Sequence, residues 1–324
     1  MSKHPMLRAA SLLALLAVAP AVCAQSTYPT RPVRIIAPTS PGSGSDLIAR
    51  ILAQGLSDRL GRQVIVENRT GAGTMIGGEH VARSAPDGHT LLMGVSTLAI
   101  NPAMYKTVPY DALRDFAPIT HAVTSSNVLV INPSLPVRTL KEFVAFVRAR
   151  PNQVNFASAG FGTNPHLAME LLANMAQIRM VHIPYQGDAP SIVDLLAGHV
   201  AVTISPVPRG VPHVRAGRLR ALGVTSAERV PTAKDIPTIA EAGLPGYEAV
   251  QWYGLLAPAG TPTDIVNRLH KESVAVLRSP EGRERLAELF VDVVASTPEQ
   301  FAAFIKSETL KWGNVAKAVG VVRE

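Results

Sequence analysis

The sequence predicts an α/β protein of two domains, and three observations carry that expectation. Short apolar runs rich in β-branched residues alternate with segments of helical spacing from Val33 onward. A Gly-rich tetrad, Gly71-Ala72-Gly73-Thr74, has a counterpart in Gly160-Phe161-Gly162-Thr163, each after a predicted strand and before a predicted helix. The chain has 324 residues, 47% hydrophobic and 17% charged, which suffices for two cores and is too apolar for a disordered protein. No collagen period, sustained heptad or solenoid repeat competes with this class.

The elements follow in order. Val33–Pro38, Gln63–Glu67 and Thr90–Val95 read as buried strands. Between the first two, Leu47, Ile48, Ile51, Leu52, Leu56 and Leu60 recur at helical spacing, with Ser45 as expected N-cap and Gly61 as C-cap. Such strand–helix–strand units pack as a parallel sheet covered by helices. The pattern restarts near Asn127, with strands at Asn127–Ile131, Val154–Ala157, Met180–Ile183, Ala201–Ile204 and Leu219–Val224. Helices are expected at Thr139–Arg150, Pro165–Ala176 and Ala189–Ala197. After a Pro- and Gly-rich connection, Tyr247–Leu256 reads as a strand, followed by helices at Thr263–Arg278, Pro280–Phe290 and Pro298–Val319. These last helices lack a sheet of their own and are expected to cover the first domain. The division is therefore residues 25–124 with 248–324 as one discontinuous domain and 125–247 as the other.

Residues 1–24 read as a secretory signal peptide. Lys3 and Arg8 form a positive start, Ala9–Val22 is apolar but for Ser11 and Pro20, and Val22-Cys23-Ala24 resembles a cleavage site. The apolar run falls short of the ~20 residues of a spanning helix. Lipidation at Cys23 is disfavoured by Pro20-Ala21-Val22, which lacks the aliphatic and small residues expected before a lipidated cysteine. Cleavage after Ala24 would remove the only cysteine, and with it disulfides, thiolate catalysis and thiolate metal sites. A periplasmic location is expected.

Without Lys3 and Arg8 the chain keeps 29 basic and 24 acidic residues, a mildly basic balance. Arg209, Arg215, Arg218 and Arg220 form the densest basic run, but no aromatic residues interleave with them as a stacking platform would require. Export also argues against a nucleic-acid partner, and the run reads as a solvated helix face.

Chemistry concentrates in three Gly/Ser/Thr-rich loops: Thr39–Ser45, Thr70–Thr74 and Ser158–Asn164. Glycines let backbone approach a ligand, and the first amides of a following helix point outward unpaired. A carboxylate or phosphate suits such a site without Lys or Arg. Each loop alone reads as a structural turn; their recurrence in both halves points to a shared ligand site at the carboxyl ends of the strands. No G-x-S-x-G, S-x-x-K, H-E-x-x-H or Walker A motif is present, and the third glycine of Gly71–Gly77 falls one residue too late for a dinucleotide fingerprint. No cofactor or metal is expected. His166, early in a helix after a Gly-rich loop, either faces a ligand or packs. Asp188, between a strand and a helix, either caps the helix or accepts from a ligand amine or hydroxyl. Asp46 is better explained by the helix dipole.

In these residues the chain resembles the Bug-type periplasmic receptors, the substrate-binding proteins of tripartite tricarboxylate transporters. The resemblance covers essentially the whole mature chain: Tyr28-Pro29, Arg31–Ile36 leading to Asp46 and Ala49-Arg50, Val66–Arg69 with Gly71–Gly73, Pro86–Gly88, Ser158–Gly160 with Gly162-Thr163, Pro184-Tyr185 with Gly187, and Gly254–Pro262. It implies a two-domain periplasmic binding protein, type II-like, with a ligand cleft between the domains. It also implies a monomeric, non-enzymatic receptor that closes over a small organic anion, a carboxylate or amino acid, and delivers it to a membrane transporter or a sensor protein. Ser43, Gly44, Ser158, Gly160, Gly162, Thr163 and Asp188 are the matching ligand positions, with Thr39, Ser96, Thr97 and His166 as neighbours. Thr39–Ser45 lacks the aromatic residue and paired glycines of many relatives, and Ile204–Pro208 lacks their acidic or asparagine residues, so the ligand itself is not carried over. The rival reading is a secreted hydrolase or transferase in which Ser43, Ser158 or Thr163 acts with His166 and Asp188. A structural envelope protein, without a polar cleft, is the third class.

Overall fold

Strand and helix alternate from the first element of the computed structural model, which describes residues 28–320. The expected signal peptide and Cys23 lie outside the described residues. β1 (Val33–Ala37) leads through the first loop into α1 (Gly44–Leu60) and back to β2 (Val64–Asn68), parallel to β1. The apolar positions spaced at helical period bury Ile48, Leu52 and Leu56 completely. Gly61 ends α1 in the left-handed conformation as expected, but Ser43 rather than Ser45 takes the N-cap position. α2 (Met75–Ala82) then precedes β3 (Thr90–Val95), which pairs parallel with the other edge of β1.

Two elements here depart from the sequence expectation. α3 (Thr97–Met104) forms despite Pro102 in its interior, and β4 (Phe116–Ser125) forms despite Pro118 and His121. A single residue, Ser126, separates β4 from β5 (Asn127–Ile131), which belongs to the second sheet. α4 (Leu140–Arg148), β6 (Asn155–Ser158), α5 (Asn164–Ala176), β7 (Val181–Pro184), α6 (Asp188–Ala197) and β8 (Val202–Pro206) follow the predicted alternation. α7 (Val207–Arg215) carries Arg209 and Arg215 of the basic run read as a helix face, and it forms although Pro208, Gly210 and Pro212 argue locally against a helix. β9 (Arg220–Val224) and the single turn α8 (Ile239–Ala242) complete this half.

The chain then returns. β10 (Gln251–Pro258) starts four residues later than the expected Tyr247; Tyr247 itself is buried and donates to the Ala168 carbonyl at 2.9 Å. α9 (Thr263–Arg278), α10 (Pro280–Glu288), β11 (Asp292–Val293) and α11 (Pro298–Val319) finish the fold. The first sheet runs β11-β4-β10-β3-β1-β2 and the second β7-β6-β8-β5-β9. In the second, β6 is parallel to β7 and β8, and β5 is antiparallel to β8 and β9.

The two crossings between sheets lie side by side. The Asn127 amide donates to Thr225 Oγ1 at 3.0 Å, and the Ala249 amide to the Thr225 carbonyl at 2.9 Å. Asn164 links them further, accepting from Asn127 Nδ2 at 2.9 Å and donating to the Val250 carbonyl at 3.0 Å. α11 packs against α3, β4 and α5, so it touches elements of both halves. Its Phe301, Ile305 and Trp312 are buried in one apolar cluster with Leu92 of β3, Leu129 of β5 and Leu172 of α5. The crossings and this helix join the two sheets into one molecule.

Candidate functional site

In the first sheet, the loop after β1 is tied down from within. Asp46, buried in the first turn of α1, accepts from the Gly42 amide at 2.9 Å, Asn68 Nδ2 at 2.9 Å and Arg50 Nε at 3.0 Å. Burial opposes its ionisation, but those donors outweigh it and hold the carboxyl below its usual range. Asp46 therefore staples the loop beyond any interaction with the dipole. Asn68 also donates to the Thr39 carbonyl at 3.0 Å, joining the end of β2 to the loop after β1. The hydroxyl of Thr39 is paired with those of both Ser43 and Ser45. The first intrahelical bond runs from the Leu47 amide to the Ser43 carbonyl, so the amides of Gly44, Ser45 and Asp46 precede the bonded ladder.

The loop after β2 is braced by α3. Thr74 Oγ1 and Thr97 Oγ1 lie 2.6 Å apart, and Asn101 Nδ2 donates to the Gly73 carbonyl at 2.9 Å. Ser96, fully buried at the end of β3, accepts from the Trp252 amide at 3.0 Å, so its hydroxyl is engaged within the fold.

In the second sheet, Ser158 ends β6 with its hydroxyl 2.7 Å from His182 Nε2, and it accepts from the Gly160 amide at 3.1 Å. Thr163 Oγ1 donates to the Gly160 carbonyl at 2.7 Å. Gly160 holds φ +136°, a region closed to side chains, while an added Cβ would meet the Tyr185 carbonyl at 3.3 Å. Behind the loop, His166 is 1% exposed, and its Nδ1 accepts from the Gly162 amide at 3.1 Å. The His166 ring stacks on His182 with centroids 3.9 Å apart. Burial, reinforced by the His182 neighbour, pushes His166 down to about 3, and burial pushes His182 down to about 4. His166 thus packs and props the loop, and His182, which sequence patterning did not single out, anchors Ser158.

Asp188 is the first residue of α6, one beyond the N-cap Gly187. Of the two roles the sequence left open for it, the N-cap position is taken by Gly187. Its Oδ2 lies 3.6 Å from Arg209 Nε on α7, and its Oδ1 is buried with no hydrogen-bond partner among the described residues. Burial raises its pKa to about 6, with Arg209 pulling the other way. A buried acceptor left open is costly unless a donor arrives.

The loop after β6 approaches the first half of the chain at α3. A Cβ on Gly162 would lie 3.6 Å from Cε of Met104, whose helix carries Thr97 and Asn101. The hydroxyls offered by the hydrolase reading are committed elsewhere. Ser158 is fully buried against His182, Ser43 is held by Thr39, and Thr163 donates to Gly160. Among the described residues none of the three is hydrogen-bonded to His166, and no helix is long and apolar enough to cross a membrane.

The profile of the "Tripartite tricarboxylate transporter family receptor" matches residues 48–321. The chain is 41% identical over 286 residues to the UPF0065 protein in the tcbD–tcbE intergenic region of Pseudomonas sp. strain P51, covering 88% of this chain and 85% of that one. Rpa4515 of R. palustris, solved with adipate, superposes with a TM-score of 0.76 at 35% identity, covering 90% of this chain and 98% of that one. MatC (Rpa3494) of Rhodopseudomonas palustris, solved with bound malate, gives 0.72 at 30% identity over 89% of this chain and 100% of that one.

Proposed function

Since the chain belongs to the tripartite tricarboxylate transporter receptor family, we propose that it is a periplasmic solute-binding receptor for a small organic anion that it does not chemically transform. Of the described residues, 28–124 with 248–320 form one lobe and 125–247 the other, turning about the paired crossings at Ser126 and Val250. The ligand carboxylate is held by the Ser43–Gly44 turn and by the Ser158–Thr163 loop, with Thr39 and Thr97 shaping the rim. Asp188 Oδ1 accepts from an amine or hydroxyl on the same ligand. One observation carries this reading: each sheet presents a glycine-shaped loop held by internal hydrogen bonds, and the loop after β6 meets the first half of the chain where Gly162 faces Met104 of α3. Preorganised main-chain donors of this kind bind an anion with little ordering cost.

Binding shifts the population toward the closed form, because only that form offers contacts from both lobes at once. A transporter or a sensor protein then reads closure. The adipate and malate held by the neighbours make dicarboxylic and hydroxy acids the first ligands to try. Calorimetry against a panel of carboxylates and amino acids, with small-angle scattering of the same samples, tests it: saturable binding with compaction is expected. Neither binding nor compaction across the panel would overturn it.

A further inference from the structure

Tyr253 of β10 does not stand out in the sequence, yet it reaches the start of α1 from within the first sheet. Its ring packs against the apolar cluster of Ile35, Ile48 and Leu255 beneath α1. Its hydroxyl emerges at the start of α1, where a Cβ on Gly44 would lie 2.7 Å from it. Among the described residues no donor or acceptor is hydrogen-bonded to that hydroxyl, although the side chain is largely buried.

The backbone around it is held on three sides. Tyr253 pairs with Val95 of β3 and Val123 of β4, and the preceding Trp252 amide donates to Ser96 Oγ at 3.0 Å. Opposite Tyr253 and Gly254 the register of β4 slips by one residue at Ala122, a bulge of the kind that redirects side chains beside functional sites. Ser96 is thereby a positioning residue for the strand that carries the phenol. Burial pushes the Tyr253 hydroxyl up to about 12, so it stays a neutral donor across physiological pH. A neutral donor next to the unbonded amides of a helix start matches a carboxylate oxygen, and the lack of a side chain at Gly44 leaves the space open.

Resting on the receptor reading above, we propose that Tyr253 is a ligand-binding residue whose hydroxyl donates to a carboxylate oxygen seated on the first turn of α1. The test compares the full mature chain with Tyr253→Phe by calorimetry on acetate, succinate, adipate, malate and glutamate. The variant keeps the ring packing and loses one donor. For every acid that the wild type binds, affinity should fall about tenfold or more, as for a hydrogen bond to a charged group, with the melting temperature of the free protein unchanged. Unchanged affinity overturns the role of Tyr253 and leaves the receptor reading standing; no binding by the wild type overturns both. If the variant melts early, the Cζ carbon-13 resonance of Tyr253 in the labelled wild type decides: a shift on saturation with the tightest acid supports the contact, and an unmoved signal overturns it.

Discussion

The imidazoles of His166 and His182 stack with centroids 3.9 Å apart, and the ring of Phe156 lies parallel against His182 at 4.8 Å. Both histidines must be neutral to share that apolar space, which is why their folded values are depressed to about 3 and about 4. His121, buried against Phe301 and Phe304, is lowered to about 4 by burial as well. In the unfolded chain these groups take up protons near pH 6.5. Their contribution is therefore complete above about pH 6.5 and is lost as pH falls from there toward 4, by up to about 1.4 kcal/mol per unit for each histidine. Glu170, raised by burial, offsets part of this at the acidic end. Urea titrations at pH 7.5, 6 and 5 should show a steady fall in stability, and His182→Gln should flatten it; a profile independent of pH would reject the neutral stack.

Asp188 gives a prediction of opposite sign. Its folded value near 6 lies above that of an unfolded aspartate, so as pH rises through that window the group destabilises the empty protein. Asp188→Asn should raise unfolding stability at pH 7.5 by about 1–3 kcal/mol. If Oδ1 receives a ligand amine or hydroxyl, the same variant should bind such ligands about tenfold or more weakly while acids lacking that group are little affected. Stabilisation without any loss of affinity would leave Asp188 as a strained structural residue.

What was legible in the sequence was whatever rested on local periodicity. α1 could be read because Leu47, Ile51 and Leu52 repeat along one stripe, and α9 and α11 because Pro262 and the Thr297-Pro298 pair mark their starts. α3 was hidden by Pro102 and the extent of α7 by Pro208, Gly210 and Pro212, whose local cost is overridden by packing of Leu98, Val207 and Val211 into the core. The basic run read as one solvated helix face is split: Arg209 and Arg215 lie on α7, and Arg220 lies on β9. The Gly-rich loops were visible because the positive φ of Gly160 and Gly162 restricts the residue type. Tyr253 and His182 were not, since each acquires its role through a partner more than 20 residues away, and no local pattern encodes such a meeting.

The loop after β6 should tolerate no side chain at Gly160. Its φ of +136° excludes alanine, and an added Cβ would press on the Tyr185 carbonyl. Gly160→Ala should cost about 1–3 kcal/mol of stability and weaken binding together, because the loop must rotate to relieve the strain. Thermal unfolding and calorimetry on the same preparation check this. Wild-type values for both would mean that the loop is not rigid.

Asp46 allows the two halves of the binding reading to be separated. Its carboxylate collects the Gly42 amide, Asn68 and Arg50, and it is 2% exposed, so Asp46→Ala strips three donors of their acceptor at once. Leaving the Gly42 amide and Asn68 without their acceptor costs about 1–3 kcal/mol, more than the exposed ion pair alone would suggest. Arg50 is half in solvent, and Arg50→Ala should cost less, about 1 kcal/mol or below. If the loop after β1 is a preformed anion cradle, Asp46→Ala should also lose affinity for carboxylates, whereas Arg50→Ala should retain most of it, since Gly42 and Asn68 still hold Asp46. Equal loss of affinity in both would mean that Arg50 itself supplies the charge for the ligand, and the main-chain account of anion binding would then be abandoned.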